Sequence, residues 1–356
     1  MKHKTEELYK APAFLRRNTG VSCVAVSGIF ETDGAFSKGY ALEDVEEEKV
    51  IQLCERLQNG GNDYAIISGR FQKRMILVVL PDCADLTEAA ERFAALEKEW
   101  SLLQGLSAEL RLEYYCGFLS GMLGKKYHTG SYLHDTPAWK QAALLSEMKK
   151  EAAICTSAGA YAVVAIRRLP AERAREAVMT VERDIHMVAS YAAVSGIPDS
   201  TVTAQIGEYM GIEAMSSRIK RKAPQLYEAM QDRERRTEHG MPHFVRVNVY
   251  FLLQASDMEE LKAITEDFLK AAREAGIQSE QIPFTQQKNP SELKRTIAMF
   301  GMTGVRQERY TMIIPAEEGK RVAAAGNSLT GEHRKQGDDY DVEMLKALFF
   351  AEGEKE

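Results

Sequence analysis

Long hydrophobic runs are missing from this sequence. The longest apolar stretches, Met75–Leu80 and Tyr161–Ile166, fall far short of the ~20 residues a helix needs to cross a bilayer. Any meeting with a membrane is therefore expected through a partner or an interfacial surface. Cysteine is scarce and odd in number: Cys23, Cys54, Cys83, Cys116 and Cys155 are widely spaced and form no C-x-x-C pair. That pattern fits reduced thiols in a cytosolic protein. An excess of positive charge is also lacking. Lys and Arg number 46 against 52 Asp and Glu, a net charge of −6, which argues against a protein whose main work is coating nucleic acid. The opening MKHKTEELYK has a basic flank but no apolar core, so it does not read as a secretory signal.

What is present is an ordinary globular composition. The 356 residues are 45% hydrophobic and 28% charged, enough to build a core and unlike disordered, collagenous or disulfide-scaffold chains. At ~150 residues per domain the length suggests about two domains.

The first block alternates strands and helices. Val21–Phe30 is rich in β-branched residues and reads as a strand, with Ala35–Tyr40 returning beside it through the turn residues Thr32, Asp33 and Gly34. Glu43–Leu57 carries Val45, Val50, Ile51, Cys54 and Leu57 at helical spacing behind an acidic first turn, and the run Asn59–Asp63 stops it. Tyr64–Ser68 and Arg74–Leu80 are strand candidates. Asp85 and Glu88 form a capping box for a helix facing inward with Leu86, Ala89, Phe93, Leu96 and Trp100. Leu103–Leu123 continues as helix, and the turn-rich stretch Gly124–Pro137 marks a boundary or exposed loop.

The second block opens with a helix over Ala138–Ala153 and a strand over Tyr161–Arg167. Pro170 then begins a helix whose apolar positions run Ala174, Ala177, Val178, Val181, Ile185, Val188 and Ala189. Residues 200–242 are charged and read as a helical surface insertion. Phe244–Leu253 alternates as a strand with one apolar face, Ser256 and Glu259 suggest a capping box, and Leu261, Ile264, Phe268, Leu269 and Ala272 line the helix that Gly276 ends. Ile277–Phe284 and Glu308–Ile314 are further strand candidates. Beyond them, Ala316–Glu356 begins as a polar linker and closes on an apolar stripe, Val342, Leu345, Leu348 and Phe349, which suits either a helix packed on its own domain or a tail that docks on a partner.

The expected fold is thus α/β (α+β), with two mixed-sheet domains. An N-terminal arm spans 1–20, a first α+β domain 21–135, and a ferredoxin-like α/β domain 136–315 with its helical insertion at 200–242; a linker and C-terminal amphipathic helix occupy 316–356.

Chemical signatures are weak. A phosphate-cradling loop needs G-x-x-x-x-G-K followed by Ser or Thr, but Gly124-Lys125-Lys126 has Leu119 in place of the first glycine, and Gly319-Lys320-Arg321 has Ile314 there. No G-x-G-x-x-G follows a strand. His239 and His243 lie four apart, but Gly240 and Pro242 between them oppose the helical presentation a metal pair needs. Ser146 with Lys149 and Ser291 with Lys294 match the S-x-x-K pattern without its companion motifs, and Ser291 reads more simply as a helix cap. No metal, cofactor or catalytic residue is expected. The basic cluster Arg218, Lys220, Arg221 and Lys222, followed by Arg233, Arg235 and Arg236, is the one candidate contact element, facing nucleic acid or an anionic membrane. Nearby Glu213, Glu228, Asp232, Glu234 and Glu238 dilute its field, which equally suits a solvated helical face.

Three segments carry a family resemblance. FSKGYALEDVEEEKVIQLCERLQNGGNDYAIISGRFQKRMILVVL resembles the opening of the large ATPases of conjugation and type IV secretion systems. AYAVVAIRRLPAERAREAVMTVERDI is similar to their central strand and long helix, and FVRVNVYFLLQASDMEELKAITEDFLKAAREAGI to their unit of a strand followed by an acidic-capped helix. The order of the three agrees across roughly residues 20–315. The family's Leu-Pro-x-Gly segment reads Ala298-Met299-Phe300-Gly301 here, and nothing in the chain matches the motor domain. The resemblance therefore implies the non-motor region. Such a region is expected to be a non-enzymatic assembly module, cytoplasmic and recruited to the inner face of the cell membrane. Its expected partners are a motor subunit, an inner-membrane component or a second copy of itself. A different class of reading remains beside it: a small-molecule or nucleotide-binding enzyme whose site is the loop 124–137, with Lys125, Lys126, Tyr127 and His128.

Overall fold

The computed structural model of the chain describes residues 7–13, 16, 19–42, 45–69, 72–100, 104–124, 131–135, 137, 140, 154–170, 174–182, 186–196, 244–282, 300 and 310–325. The elements are β1 (Leu8–Lys10), β2 (Val21–Ala25), β3 (Ile29–Thr32), β4 (Ala35–Ala41), α1 (Glu47–Asn59), β5 (Asp63–Gly69), β6 (Gln72–Leu80), α2 (Leu86–Glu99), β7 (Gln104–Gly105) and α3 (Ala108–Leu123). They continue with β8 (Ile154–Thr156), β9 (Gly159–Arg168), α4 (Ala174–Glu182), β10 (Met187–Gly196), β11 (Phe244–Ala255), α5 (Met258–Glu274), β12 (Gln278–Gln281), β13 (Met312–Pro315) and α6 (Ala316–Ala325).

Local chemistry sets most of these boundaries. Asp33 at φ 50° and Gly34 at φ 81° make the tight turn between β3 and β4, the Asp-Gly pairing that such two-residue hairpins favour. Gly60 and Gly61 close α1, and Gly124, left-handed at φ 60°, closes α3. The two helices α2 and α5 start with one device. Asp85 accepts from the Glu88 N–H at 2.9 Å while Glu88 accepts from the Ala84 N–H at 2.8 Å. Asp257 accepts from the Glu260 N–H at 2.9 Å while Glu260 accepts from the Ser256 N–H at 2.8 Å. The second cap is thus Asp257 with Glu260, one residue beyond the expected Ser256 and Glu259.

The described strands form a single sheet of 13, and every pairing among them is antiparallel. Two mixed-sheet domains were expected, the second with its two β-α units on one antiparallel sheet; the described strands of both halves share one antiparallel sheet. Its main path runs β1-β2-β3-β4-β6-β5-β10-β11-β9-β12, with β7 on β4, β8 on β9 and β13 on β11. Within that path the succession β4-α1-β5-β6-α2-β7 lays its strands in the order β7, β4, β6, β5. The succession β9-α4-β10-β11-α5-β12 lays its own in the order β12, β9, β11, β10. The connectivity is the same twice over, and the two meet where β5 pairs with β10, Tyr64 opposite Val194 and Ile66 opposite Ala192.

Each face of the sheet carries its own core. Side chains of α1, α2, α4, α5 and α6 pack with Tyr64, Ile76, Val78, Val247, Phe251 and Leu253 on one face. The other face is covered by α3, whose Leu112, Tyr115, Phe118 and Leu119 meet Leu77, Tyr191, Tyr250 and Leu252. Full burial of each such side chain contributes roughly 1.5–3 kcal/mol.

Three expectations needed revision. Val21–Phe30 is two strands, because Gly28 at φ 91° turns the chain after Ala25. The helix expected to run through Val188 and Ala189 ends at Glu182, and Met187–Gly196 is a strand. That strand lies between β5 and β11 with both faces buried, so it shows none of the polar alternation that marks a half-exposed strand. Ala316–Ala325, expected as linker, is a helix with Val322–Ala325 buried. The insertion 200–242 and the stripe Val342–Phe349 lie outside the described residues.

Candidate functional site

The junction of the two halves is fixed from the helical face by α6, which packs across α1 and α4. Arg74 of β6 donates from its guanidinium to the Ala324 carbonyl at 3.2 Å. Lys320 is nearly buried and sits 2.6 Å from Glu317 and 3.2 Å from Glu55. Burial works against its charge, but the two carboxylates outweigh burial and raise its pKa. Burial likewise pushes the Glu317 carboxyl up, and Lys320 and Arg321 reverse this, holding it below its ordinary value. Gly319 lets α6 lie close on β11, because a Cβ there would stand 2.5 Å from Val245 Cγ2.

On the opposite face a cleft of about 180 Å³ opens across the rim of the sheet. The β3–β4 turn brings Thr32, Asp33 and Ser37, β5 brings Asp63, β10 brings Ser195, and β11 brings Asn248; Val79, Pro81 and Ala193 give it apolar walls. Several of these groups are held from behind. Arg111 of α3 donates to the Ser37 carbonyl and the Ser37 hydroxyl, both at 3.0 Å, and lies 4.0 Å over the Phe30 ring. Burial pushes the Arg111 pKa down to about 9, which leaves it a cation at neutral pH. Asp63 accepts from the Gly196 N–H at 2.9 Å and so ties the start of β5 to the end of β10. Asn248 donates to the Tyr250 hydroxyl at 3.2 Å and to Thr311 at 3.3 Å. Thr32, 4% exposed, keeps a hydroxyl with no hydrogen-bond partner.

A second surface feature is the outer edge of β1, on which no strand pairs among the described residues. The Ala11 N–H donates to Ser22 and the Val26 N–H to Glu7, at 2.9 and 3.2 Å, while Tyr9 pairs with Val24. In an antiparallel ladder the alternate residues, Leu8 and Lys10, then direct their backbone groups outward. Leu8 is 51% exposed and Val26 42% exposed, the large apolar side chains most open to solvent among the described residues. The opposite edge differs. Strand β12 reads Gln-Ser-Glu-Gln and is braced by Glu280 against Arg167 at 2.8 Å, the polar protection that edge strands commonly carry.

The contact residues expected from the sequence, Arg218, Lys220, Arg221 and Lys222, lie outside the described residues. So do Lys125, Lys126, Tyr127 and His128 of the turn-rich loop, the histidines His239 and His243, and both S-x-x-K segments. The described end of that loop is anchored by Glu109, which accepts from the Ser131 hydroxyl at 2.6 Å and from the backbone of Tyr132 and Leu133 at 2.6 and 3.0 Å. Of the cysteines, Cys54, Cys83 and Cys116 are buried and Cys23 and Cys155 half-buried. Burial pushes the Cys54 and Cys116 thiols up to about 12, as for small core hydrophobes. Among the described residues no group of three or more His, Cys, Asp or Glu is placed to hold a metal ion, and no helix is long and apolar enough to cross a membrane.

Sequence reasoning did not find the cleft. Its residues come from six strands, and the turn at Asp33-Gly34 is the one local signal among them. No family model and no curated protein sequence matches the chain.

Proposed function

We propose that this chain is a non-catalytic assembly module of a conjugative DNA-transfer, or type IV secretion, machine. It is recruited to the inner face of the cell membrane and docks a motor subunit or an inner-membrane component there. In this reading each half is a ferredoxin-like split β-α-β-β-α-β unit, and the pair forms one rigid platform. The resemblance of three segments to the non-motor region of the secretion ATPases supplies the setting. The observation that carries the docking mechanism is the outer edge of β1, which no described strand covers, where outward-facing backbone groups lie beside the exposed Leu8 on one face of the ladder and the exposed Val26 on the other. Such an edge accepts an extended strand from another chain: the backbone hydrogen bonds supply affinity and the flanking side chains supply selectivity.

Co-purification of the full chain with a cognate motor subunit tests this. Wild type is expected to retain the motor, and Leu8→Lys combined with Val26→Lys to lose most of it without a change in melting temperature. Absence of both motor association and membrane recruitment for the wild-type chain defeats the reading. Undiminished retention by the double variant moves the contact away from β1.

A further inference from the structure

Resting on that docking reading, we infer that the segment added to β1 is an acidic strand. It carries a carboxylate with an apolar residue two positions away, and seats them beside Lys10 and Leu8. The alternation of β1 supplies the first observation. Glu7, Tyr9 and Ala11 exchange the ladder bonds with β2, so Leu8 and Lys10 turn their backbone groups to the outer edge and share one side-chain face. On that face both side chains are exposed, Leu8 by 51%. Lys10 forms no ion pair with any described residue. Glu31 stands opposite Cys23 on the far side from Lys10. Its field is weakened at two strand spacings, about 10 Å, which is about one screening length in physiological salt.

The other face of β1 is differently built. There the Tyr9 ring meets the His134 ring edge-on at 5.2 Å, and the Tyr9 hydroxyl donates to Glu7 at 2.7 Å. An added strand alternates in the same way as β1. Two of its residues lie beside Leu8 and Lys10, and the residue between them points to the Tyr9 face, where the Glu7 carboxylate disfavours a second acid. Opposite charges on neighbouring strands attract and like charges repel, so Lys10 selects Asp or Glu over Lys or Arg. Leu8, open to solvent, gains from an apolar neighbour. The backbone groups of the edge supply affinity for any extended segment, and this pair of side chains supplies the selectivity.

The test uses the full chain and two heptapeptides, N-acetyl-Thr-Val-Thr-Glu-Thr-Val-Thr amide and the same peptide with lysine in place of glutamate. Valine on both sides lets the central residue reach Lys10 and a valine reach Leu8 whichever way the strand runs. Binding is followed by amide NMR. Saturable shifts of the Leu8 and Lys10 amides are expected, with the acidic peptide bound about fivefold tighter than the basic one. Lys10→Glu should reverse that order and Lys10→Gln abolish it, both with an unchanged melting temperature. Equal binding of the two peptides to the wild-type chain, an unaltered order in Lys10→Glu, or no shift of those two amides overturns the inference. Motor retention by a wild-type chain that does not distinguish the peptides overturns the acidic-strand assignment and leaves the docking reading standing. A charge-dependent preference in a chain that retains no motor does the reverse.

Discussion

Replacing Gly319 by alanine places a methyl carbon 2.5 Å from Val245 Cγ2, well inside contact distance. At an open position within a helix the same change stabilises by about 1 kcal/mol, because glycine is the poorer helix former. Here the neighbour cannot yield easily. Val245 is 3% exposed, sits in β11 opposite both Gly196 and Ile314, and has a β-branched side chain stiff about χ1. Overpacking of this kind costs about 1–3 kcal/mol, so the net expectation is a loss of about 1 kcal/mol. Val245→Ala alone removes two buried methyl groups and costs about 2 kcal/mol through transfer and cavity terms. In the double variant the new methyl occupies space the valine vacated. The combined loss should therefore fall short of the sum by about 1 kcal/mol, the coupling that a double-mutant cycle measures. Urea unfolding of the four chains, followed by far-ultraviolet circular dichroism, gives all the terms. A higher midpoint for Gly319→Ala, or strict additivity with Val245→Ala, refutes close docking of α6 on β11.

Two further outcomes follow from local geometry. Gly28→Ala puts a methyl 1.9 Å from the Leu106 carbonyl oxygen at φ 91°; backbone meets it, so the loss should exceed about 2 kcal/mol, read as a lower urea midpoint. Acid should weaken the start of α5. The backbone N–H groups of Glu260 and Glu259 hold the Asp257 carboxyl below its ordinary value, and the Ser256 hydroxyl and amide do the same for Glu260. A folded pKa below the unfolded one means stability that is present above the unfolded pKa, ~4, and lost as pH falls through the folded value. Urea midpoints should decline from about pH 5 downward, less steeply in Asp257→Asn, which keeps the cap but does not titrate; an identical decline in that variant rejects the assignment. The loss of motor retention in the Leu8, Val26 pair completes the set.

Much of the local structure was legible. The run Glu47–Asn59 shows its acidic first turn and its glycine stop in the sequence, and Thr32-Asp33-Gly34 announces its hairpin. Asp85 with Glu88 predicts its own cap to the residue, whereas Ser256 and Glu259 mislead by one position because Asp257 and Glu260 compete for the same role. The misses share a cause. Met187–Gly196 contains Ala189, Ala192 and Ala193, and its burial on both faces removes the period of two; small apolar residues then read as a continued helix. Ala316–Ala325 looks polar along the chain, since Glu317, Lys320 and Arg321 satisfy one another in ion pairs and with Glu55.

Composition and spacing alone determined that the chain is an α/β protein, and where most helices start and stop. These follow from neighbours a few residues apart, whose hydrogen bonds and dihedral preferences need no distant partner. Only the tertiary structure decided that β5 pairs with β10, that two equal connectivities share one sheet, and that Asp33, Asp63 and Asn248 line one cleft. Pairing of strands distant in sequence depends on which buried faces fit when the whole chain closes, and no local window of residues carries that information.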